Sequence, residues 1–180
     1  MKSSKLINPN EIIYLAGSSG MVGRSLLRLL KESSYGLEKY GGKLLTPSRK
    51  ELDLLNTEEV NNWFDKNKPS IVILAAAKVG GIYANANFPA DFLYENLKIQ
   101  MNVIEAAWKN RVKRFLFLGS SCIYPKYARQ PIEEESLLTK SLESTNEWYA
   151  ISKISGIKLL QALRKQYNFD AISLMPTNLY

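Results

Sequence analysis

The sequence predicts an α/β fold built on a doubly wound parallel sheet, and three observations carry this prediction. Short apolar runs alternate along the chain with longer segments whose apolar residues recur at helical spacing. The run at 71–75 is apolar throughout, as expected of a parallel strand that is covered on both faces. A glycine-rich turn, Gly17-x-x-Gly20-x-x-Gly23, separates the first run from the first helical segment. Such alternation is typical of helices packed on parallel strands.

Each predicted strand is a short run rich in apolar residues, and glycine or proline follows most of these runs directly. The strands are expected at residues 12–16, 43–46, 71–75, 115–118 and 171–175. The helices are expected from 21 to 31, around 60–64 with an end near Pro69, from 91 to 109, and from 147 to about 167. Ser144 and Glu147 are spaced like a capping box that opens the last helix. The polar stretch 126–145 before that helix is predicted to be a surface loop.

Length and composition favour a globular protein, with residues 1–180 as one domain that has a sizeable core. No apolar run approaches the roughly 18 residues of a membrane span, and the first apolar segment is too short for a signal peptide. Cys122 is the single cysteine, which fits a reducing compartment, so we expect a cytoplasmic protein. The chain contains no histidine, which excludes His-ligated metal sites and Ser-His-Asp triads within it. We expect no metal site.

The formal net charge of +7 suits a polyanionic ligand, either nucleic acid or a phosphorylated small molecule. The basic residues are scattered along the sequence, and no basic stripe with interleaved aromatic residues is present. Nucleic-acid binding is therefore not expected. An ordinary solvated surface accounts for most of the charge.

The glycine turn has the position of a dinucleotide fingerprint, after the first strand and at the start of the first helix. Glycine allows the backbone to approach a pyrophosphate, and the helix N-terminus offers free N–H groups to it. This placement predicts an NAD(P)-binding Rossmann fold, although glycines that serve only a tight turn remain the alternative. The residues expected to bind the cofactor here are Gly17, Ser19, Gly20, Met21, Val22 and Gly23.

The residues after the second strand favour NADP(H) over NAD(H). An acidic residue at this point usually binds the ribose 2′-hydroxyl of NAD, whereas arginine accommodates a 2′-phosphate. The sequence here is Ser48-Arg49-Lys50. A guanidinium beside a hydroxyl suits a phosphate, so Arg49 is a cofactor-binding candidate. In the alternative, Arg49 and Lys50 merely face water.

Three residues form a candidate catalytic set. Tyr149 and Lys153 are four apart on a predicted helix, so their side chains share one face. A neighbouring ammonium would stabilise the phenolate of Tyr149, and the same lysine can bind the nicotinamide ribose. Ser120 follows the fourth strand, at the sheet edge where ligands bind in such folds, and could polarise a substrate carbonyl.

Together, the glycine turn, Ser120 and Tyr149-x-x-x-Lys153 resemble the extended short-chain dehydrogenase/reductases. Longer blocks are similar to those members of the family that synthesise GDP-L-fucose; these blocks are 75–82, 89–92, 117–126, 145–147 and 175–180. The resemblance implies an enzyme that epimerises GDP-4-keto-6-deoxy-D-mannose at C3 and C5 and then reduces C4 with NADPH. It implies that Ser120 binds the carbonyl, Tyr149 donates the proton to C4 and Lys153 tunes Tyr149. Enolate chemistry of this kind suits hydroxyl donors.

The same resemblance adds further candidates. It makes Cys122 an acid/base in epimerisation, whereas the residue pattern alone favours an inert core cysteine. It places Asn96 near the nicotinamide and Asp53 near the adenine. The other cofactor-binding candidates of this kind are Leu54, Ala75, Ala76 and Ala77.

The sequence departs from this family in ways that limit the expected activity. The family's second epimerisation residue is a histidine beyond the position of Tyr180, and its C-terminal part supplies most contacts to the GDP moiety. We therefore expect a chain that is truncated after the fifth strand and lacks the substrate-binding part, with little turnover by itself. It would act as a homodimer, or with a complementary C-terminal chain. A non-catalytic NADP(H) sensor that acts through a protein partner is the alternative.

Overall fold

A computed structural model of the chain describes residues 7–177 and 179. Within these residues, five parallel strands form one sheet in the order β2-β1-β3-β4-β5. The strands are β1 (Ile12–Ala16), β2 (Lys43–Leu45), β3 (Ile71–Leu74), β4 (Arg114–Leu118) and β5 (Ala171–Leu174). The helices are α1 (Met21–Glu32), α2 (Thr57–Asn67), α3 (Ile82–Asn87), α4 (Pro89–Lys109) and α5 (Glu147–Tyr167). The predicted α/β class with a parallel sheet is confirmed.

Helices cover the sheet on both faces because the strand residues alternate in direction. Tyr14, Val72 and Phe115 belong to a core cluster that also contains residues of α2, α4 and α5. Ile13 and Ile73 belong to a second cluster, which packs against Leu26, Leu27 and Leu30 of α1. The sheet is therefore doubly wound, as predicted. Full burial of each large apolar side chain contributes about 1.5–3 kcal/mol to folding.

The strand order places a ligand crevice at one edge of the sheet. The chain runs from β1 outward to β2, then crosses back to β3 on the other side of β1. The order of connection thus reverses between β1 and β3, and open α/β sheets bind ligands outside the carboxyl ends of the strands at such a point. Ala16 pairs with Leu74, and Leu74 with Phe117, so the loops that follow β1, β3 and β4 emerge side by side.

Most predicted boundaries agree with the structure within two residues, but one prediction needs correction and one helix was missed. Ser144 does not cap α5, because it lies in a separate 3-10 turn, Ser144–Asn146, that precedes the helix. Asn146 is the N-cap residue of α5 and makes no side-chain cap bond. The helix α3 was not expected from the sequence. In the block 175–180, Asn178 and Tyr180 lie outside the described residues.

None of the helices in the described part of the chain is long and apolar enough to span a membrane.

Candidate active site

The glycine turn brings the backbone of the loop after β1 against the end of β3. Gly17 has a φ of +85°, and a Cβ at this position would lie 2.7 Å from the Ala76 nitrogen. A Cβ on Gly23 would lie only 2.0 Å from the Gly17 oxygen. Both positions therefore require glycine, for steric reasons that are independent of any ligand. A steric requirement for glycine is common to a dinucleotide-binding turn and to a turn that binds nothing.

The start of α1 has the features of a helix end that can bind an anion. Gly20 is the N-cap residue and offers no side chain to cap the helix, and no acidic residue lies in the first turn. The first N–H groups of a helix have no intrahelical acceptors, and the helix dipole is positive at this end. An anion such as a pyrophosphate would satisfy these groups. Met21 and Val22 lie in this first turn, beside Gly20.

Two cavities flank Arg49, which lies beyond the carboxyl end of β2. One, of about 180 Å³, is lined by the glycine turn, the residues after β2 and Leu54. The other, of about 350 Å³, is lined by Arg49, Asp53, Leu54, Leu55, Ala77, Lys78, Glu95 and Ile99. The structure thus brings together Gly17, Ser19, Arg49, Asp53, Leu54 and Ala77, which the sequence had separated by up to 60 positions.

Lys78 is a residue of this region to which the sequence analysis assigned no role. Its Nζ lies 2.5 Å from Glu95 Oε1 and 3.6 Å from Asp91 Oδ2. The hydrogen bond to Glu95 raises the pKa of Lys78, so the lysine stays charged. The only feature of the sequence that could have indicated a role for Lys78 was its position after β3, directly behind three alanines.

Asn96 fixes the loop that follows β3. Its Oδ1 accepts a hydrogen bond from the Lys78 backbone N–H at 2.8 Å, and its Nδ2 donates to the Lys78 carbonyl at 2.9 Å and to that of Phe92 at 2.8 Å. Asn96 is 3% exposed. Its polar atoms are therefore engaged with backbone, and it positions the loop on which Lys78 lies.

The candidate catalytic residues meet where β4 ends against α5. Lys153 Nζ donates to the Leu118 carbonyl at 2.8 Å and lies 5.7 Å from the centre of the Tyr149 ring. Ser120 lies two residues after Leu118 and opens the 3-10 turn Ser121–Ile123, with its Oγ accepting from the Cys122 N–H at 3.4 Å. These contacts place Ser120, Cys122, Tyr149 and Lys153 in one cluster, apart from the Arg49 cavities.

Burial controls the protonation of this cluster. Burial raises the pKa of Tyr149 to about 12, and a thiolate at Cys122 would add to this effect. The pKa of the Cys122 thiol is also raised by burial, whereas its hydrogen bond with Ser120 and the charge of Lys153 act in the opposite direction. Burial lowers the pKa of Lys153 to about 8. At neutral pH the cluster therefore holds a phenol, a thiol and an ammonium.

The pKa of Tyr149 is raised, whereas the sequence led us to expect that Lys153 would lower it by stabilising the phenolate. The ring is packed into the protein, so loss of solvation disfavours the charged phenolate and raises the pKa of Tyr149. The Lys153 ammonium is also bound to the Leu118 carbonyl rather than to the phenol oxygen.

The described residues contain no group of three or more His, Cys, Asp or Glu side chains that could hold a metal ion.

The structure of the chain is similar to that of a GDP-mannoheptose C4 reductase, MlghC from Campylobacter jejuni, solved with NADP bound. The TM-score is 0.90 at 36% identity, and the match covers 97% of this chain and 53% of that one. In sequence, the chain is 55% identical over 168 residues to a GDP-L-fucose synthase of Sinorhizobium fredii, covering 93% of this chain and 51% of the relative. It is 53% identical over 177 residues to GDP-L-fucose synthase 1 of Arabidopsis thaliana, covering 98% and 53%.

The chain spans about half the length of the curated relatives that it matches. A family model nonetheless matches residues 13–180, which is most of this chain. That stretch contains the glycine turn, β1 except its first residue, the other four strands and the cluster around Tyr149. The chain belongs to the NAD dependent epimerase/dehydratase family.

Proposed function

We propose that this chain is the NADP(H)-binding and catalytic part of an epimerase/reductase that acts on GDP-4-keto-6-deoxy-D-mannose in the synthesis of GDP-L-fucose. The observation that carries the proposal is the cluster of Ser120, Cys122, Tyr149 and Lys153 at the carboxyl edge of the sheet, in a chain about half identical to GDP-L-fucose synthases. A sensor without catalysis gains no support from these relatives, which are named as enzymes.

The residues present fit NADP(H). The uncapped start of α1 and the close approach at Gly17 and Gly23 would hold the pyrophosphate. Arg49, between its two cavities, would pair with the 2′-phosphate, and Lys153 would bind the nicotinamide ribose. When bound, the cofactor supplies the hydride for reduction at C4.

The side chains of the cluster suit both halves of this reaction. Tyr149 is a protonated phenol at neutral pH and can donate its proton to the C4 oxygen as that atom gains charge. Ser120 can donate a hydrogen bond to the same carbonyl oxygen, which also stabilises the enolate during epimerisation. Cys122 is a protonated thiol and can deliver a proton to carbon. Because the chain has no histidine, the second acid/base group of the epimerisation comes, in this proposal, from outside the chain.

A complementary C-terminal segment forms part of the proposal. Ile172 and Leu174 lie on one face of β5 and are 38% and 47% exposed. Parallel sheets are normally covered on both faces, so these side chains offer a surface for such a segment. We also propose a homodimer that uses α4 and α5, since Tyr94 and Met101 of α4 are exposed. A cytoplasmic location would match the single free thiol.

Titration of the purified chain with NADPH and NADH, followed by tryptophan fluorescence, tests the cofactor assignment. We expect saturable binding that prefers NADPH, and about a tenfold or greater loss of NADPH affinity in Arg49→Ala with NADH binding unchanged. Lys50→Ala is the matched control, since Lys50 does not line either cavity. Equal binding of both cofactors by the wild-type chain would refute the NADP(H) assignment.

Turnover tests the catalytic assignment. Oxidation of NADPH in the presence of GDP-4-keto-6-deoxy-D-mannose should be very slow with this chain alone. It should rise when the C-terminal half of a GDP-L-fucose synthase is added, and Tyr149→Phe should abolish the rise. Undiminished turnover in Tyr149→Phe would rule out this tyrosine as the proton donor.

A further inference from the structure

The larger of the two cavities beside Arg49, of about 350 Å³, has walls from three parts of the chain. The loop before α2 contributes residues 53–55, and the loop after β3 contributes residues 77–78. Glu95 and Ile99 of α4 complete the lining. The position of each loop relative to α4 therefore sets the shape of the cavity.

Asn102 ties the loop before α2 to α4. Its Nδ2 donates to the Leu54 carbonyl at 2.8 Å, and its Oδ1 accepts from the Thr57 hydroxyl at 2.9 Å. Asn102 is 6% exposed, and it lines neither of the cavities beside Arg49. Any effect of Asn102 on a ligand in these cavities must therefore pass through the loop that it holds.

Leu54 connects this hydrogen bond to the candidate cofactor site. Leu54 and Arg49 are the two residues that line both cavities. The other hydrogen bonds of residues 53–55 stay within the loop or reach only the first turn of α2. In the part of the chain that the structure describes, the bond from Asn102 is thus the one that joins residues 53–55 to a distant element.

A second buried asparagine of α4 anchors the other loop of the cavity. Asn96 binds both backbone polar groups of Lys78. Asn96 and Asn102 are six residues apart, which is roughly 9 Å along an α-helix. One helix thus holds both loops, and buried polar groups whose hydrogen bonds are satisfied make such an arrangement rigid.

We propose that Asn102 is a positioning residue for the adenosine half of NADP(H), because its bond to the Leu54 carbonyl holds Leu54 beside Arg49. This inference rests on the proposed function. Loss of the bond would let Leu54 move away from Arg49, so the loop would have to be ordered again when the adenosine and its 2′-phosphate bind. A binding site that is already ordered avoids this cost. The nicotinamide half, which is assigned to Lys153 on α5, does not depend on this loop.

Removing the amide of Asn102 tests the inference. The probe is 2′,5′-ADP, which carries the adenosine and the 2′-phosphate of NADP without the nicotinamide, and isothermal titration calorimetry measures its affinity. Asn102→Leu removes both hydrogen bonds and should bind the probe about tenfold more weakly than the wild type. Asn102→Asp keeps an acceptor for Thr57 but loses the donor to Leu54, so we expect a similar loss. If Asn102→Leu does not fold, Asn102→Asp decides the question.

Gln100→Leu is the matched control. Gln100 is also a buried side-chain amide of α4, and its Nε2 donates to the Ser152 carbonyl on α5 instead of to a loop at the cavity. This variant should lose stability in urea as Asn102→Leu does, yet it should bind 2′,5′-ADP like the wild type.

The outcomes separate this inference from the proposed function. Equal losses of affinity in the Asn102 and Gln100 variants would show a general packing effect and overturn the inference, as would wild-type affinity in Asn102→Asp. In both cases the NADP(H) assignment would stand. A wild-type chain that does not bind 2′,5′-ADP would overturn that assignment and the inference with it.

Discussion

Replacing Lys153 with methionine should stabilise the fold at pH 7. Burial lowers the pKa of this lysine from 10.5 to about 8, and at about 1.4 kcal/mol per pH unit the buried ammonium costs roughly 3 kcal/mol. Methionine has a similar length and no charge. It leaves the Leu118 carbonyl without its donor, which costs about 1 kcal/mol. The expected net gain in the free energy of unfolding is about 2 kcal/mol.

The pH dependence of this gain identifies its cause. Between pH 8 and 10.5, the unfolded chain binds the Lys153 proton and the folded chain does not, so wild-type stability gains with rising pH over this window. The advantage of Lys153→Met should be complete below pH 8, should shrink above it, and should reverse as the pH approaches 10.5. At that point only the hydrogen bond to Leu118 still distinguishes the two proteins.

Urea unfolding followed by tryptophan fluorescence at several pH values measures this difference. The difference between the free energies of unfolding of the variant and the wild type is calculated at each pH. Contributions from the titration of other groups cancel in this difference. Lys158→Met provides a control on the same helix, because Lys158 is exposed and its replacement should change stability by less than about 0.5 kcal/mol. A Lys153→Met chain that is less stable than the wild type at pH 7 would refute the reasoning.

Three further outcomes are expected. Gly23→Ala, whose Cβ would strike a loop carbonyl, should destabilise the chain by about 2 kcal/mol or more and abolish NADPH binding. Gly81→Ala is the control, because a Cβ at Gly81 would have no neighbour within 4 Å. This variant should bind NADPH as the wild type does. The rate of Cys122 alkylation by iodoacetamide should rise with pH to a midpoint above that of an ordinary exposed thiol, since burial raises the pKa of the thiol. Asn56→Ala removes the N-cap of α2 and should lower the free energy of urea unfolding by about 1 kcal/mol.

The fold could be predicted because its signals are local. The apolar residues of β3 and the glycine turn after β1 define their elements within a few positions of sequence. The helix α3 could not be predicted in this way, since its six residues carry no full helical period of apolar side chains. The capping-box prediction failed because a Ser-x-x-Glu spacing also fits a 3-10 turn that leads into a helix.

The candidate site could be predicted only where its residues share one element. Tyr149 and Lys153 lie one turn apart on α5, so spacing alone placed them together. Asn96 and Asn102 act through hydrogen bonds to backbone groups in two loops. Neither residue type nor spacing shows which carbonyl an asparagine will meet, because the packing of α4 against the sheet decides it. The place of Arg49 after the second strand made it a candidate, but the sequence did not show that it shares a cavity with the glycine turn, which follows from the pairing of β1 with β2.

Burial gives the candidate catalytic cluster an electrostatic character that matches the proposed chemistry. At neutral pH, the raised pKa values leave Tyr149 and Cys122 uncharged, while Lys153, with a pKa of about 8, still carries its proton. The cluster thus combines proton donors with one positive charge. Epimerisation next to a ketone and reduction of that ketone both build negative charge on the same carbonyl oxygen. A site of this composition therefore favours both steps, at the cost in stability that Lys153→Met is expected to recover.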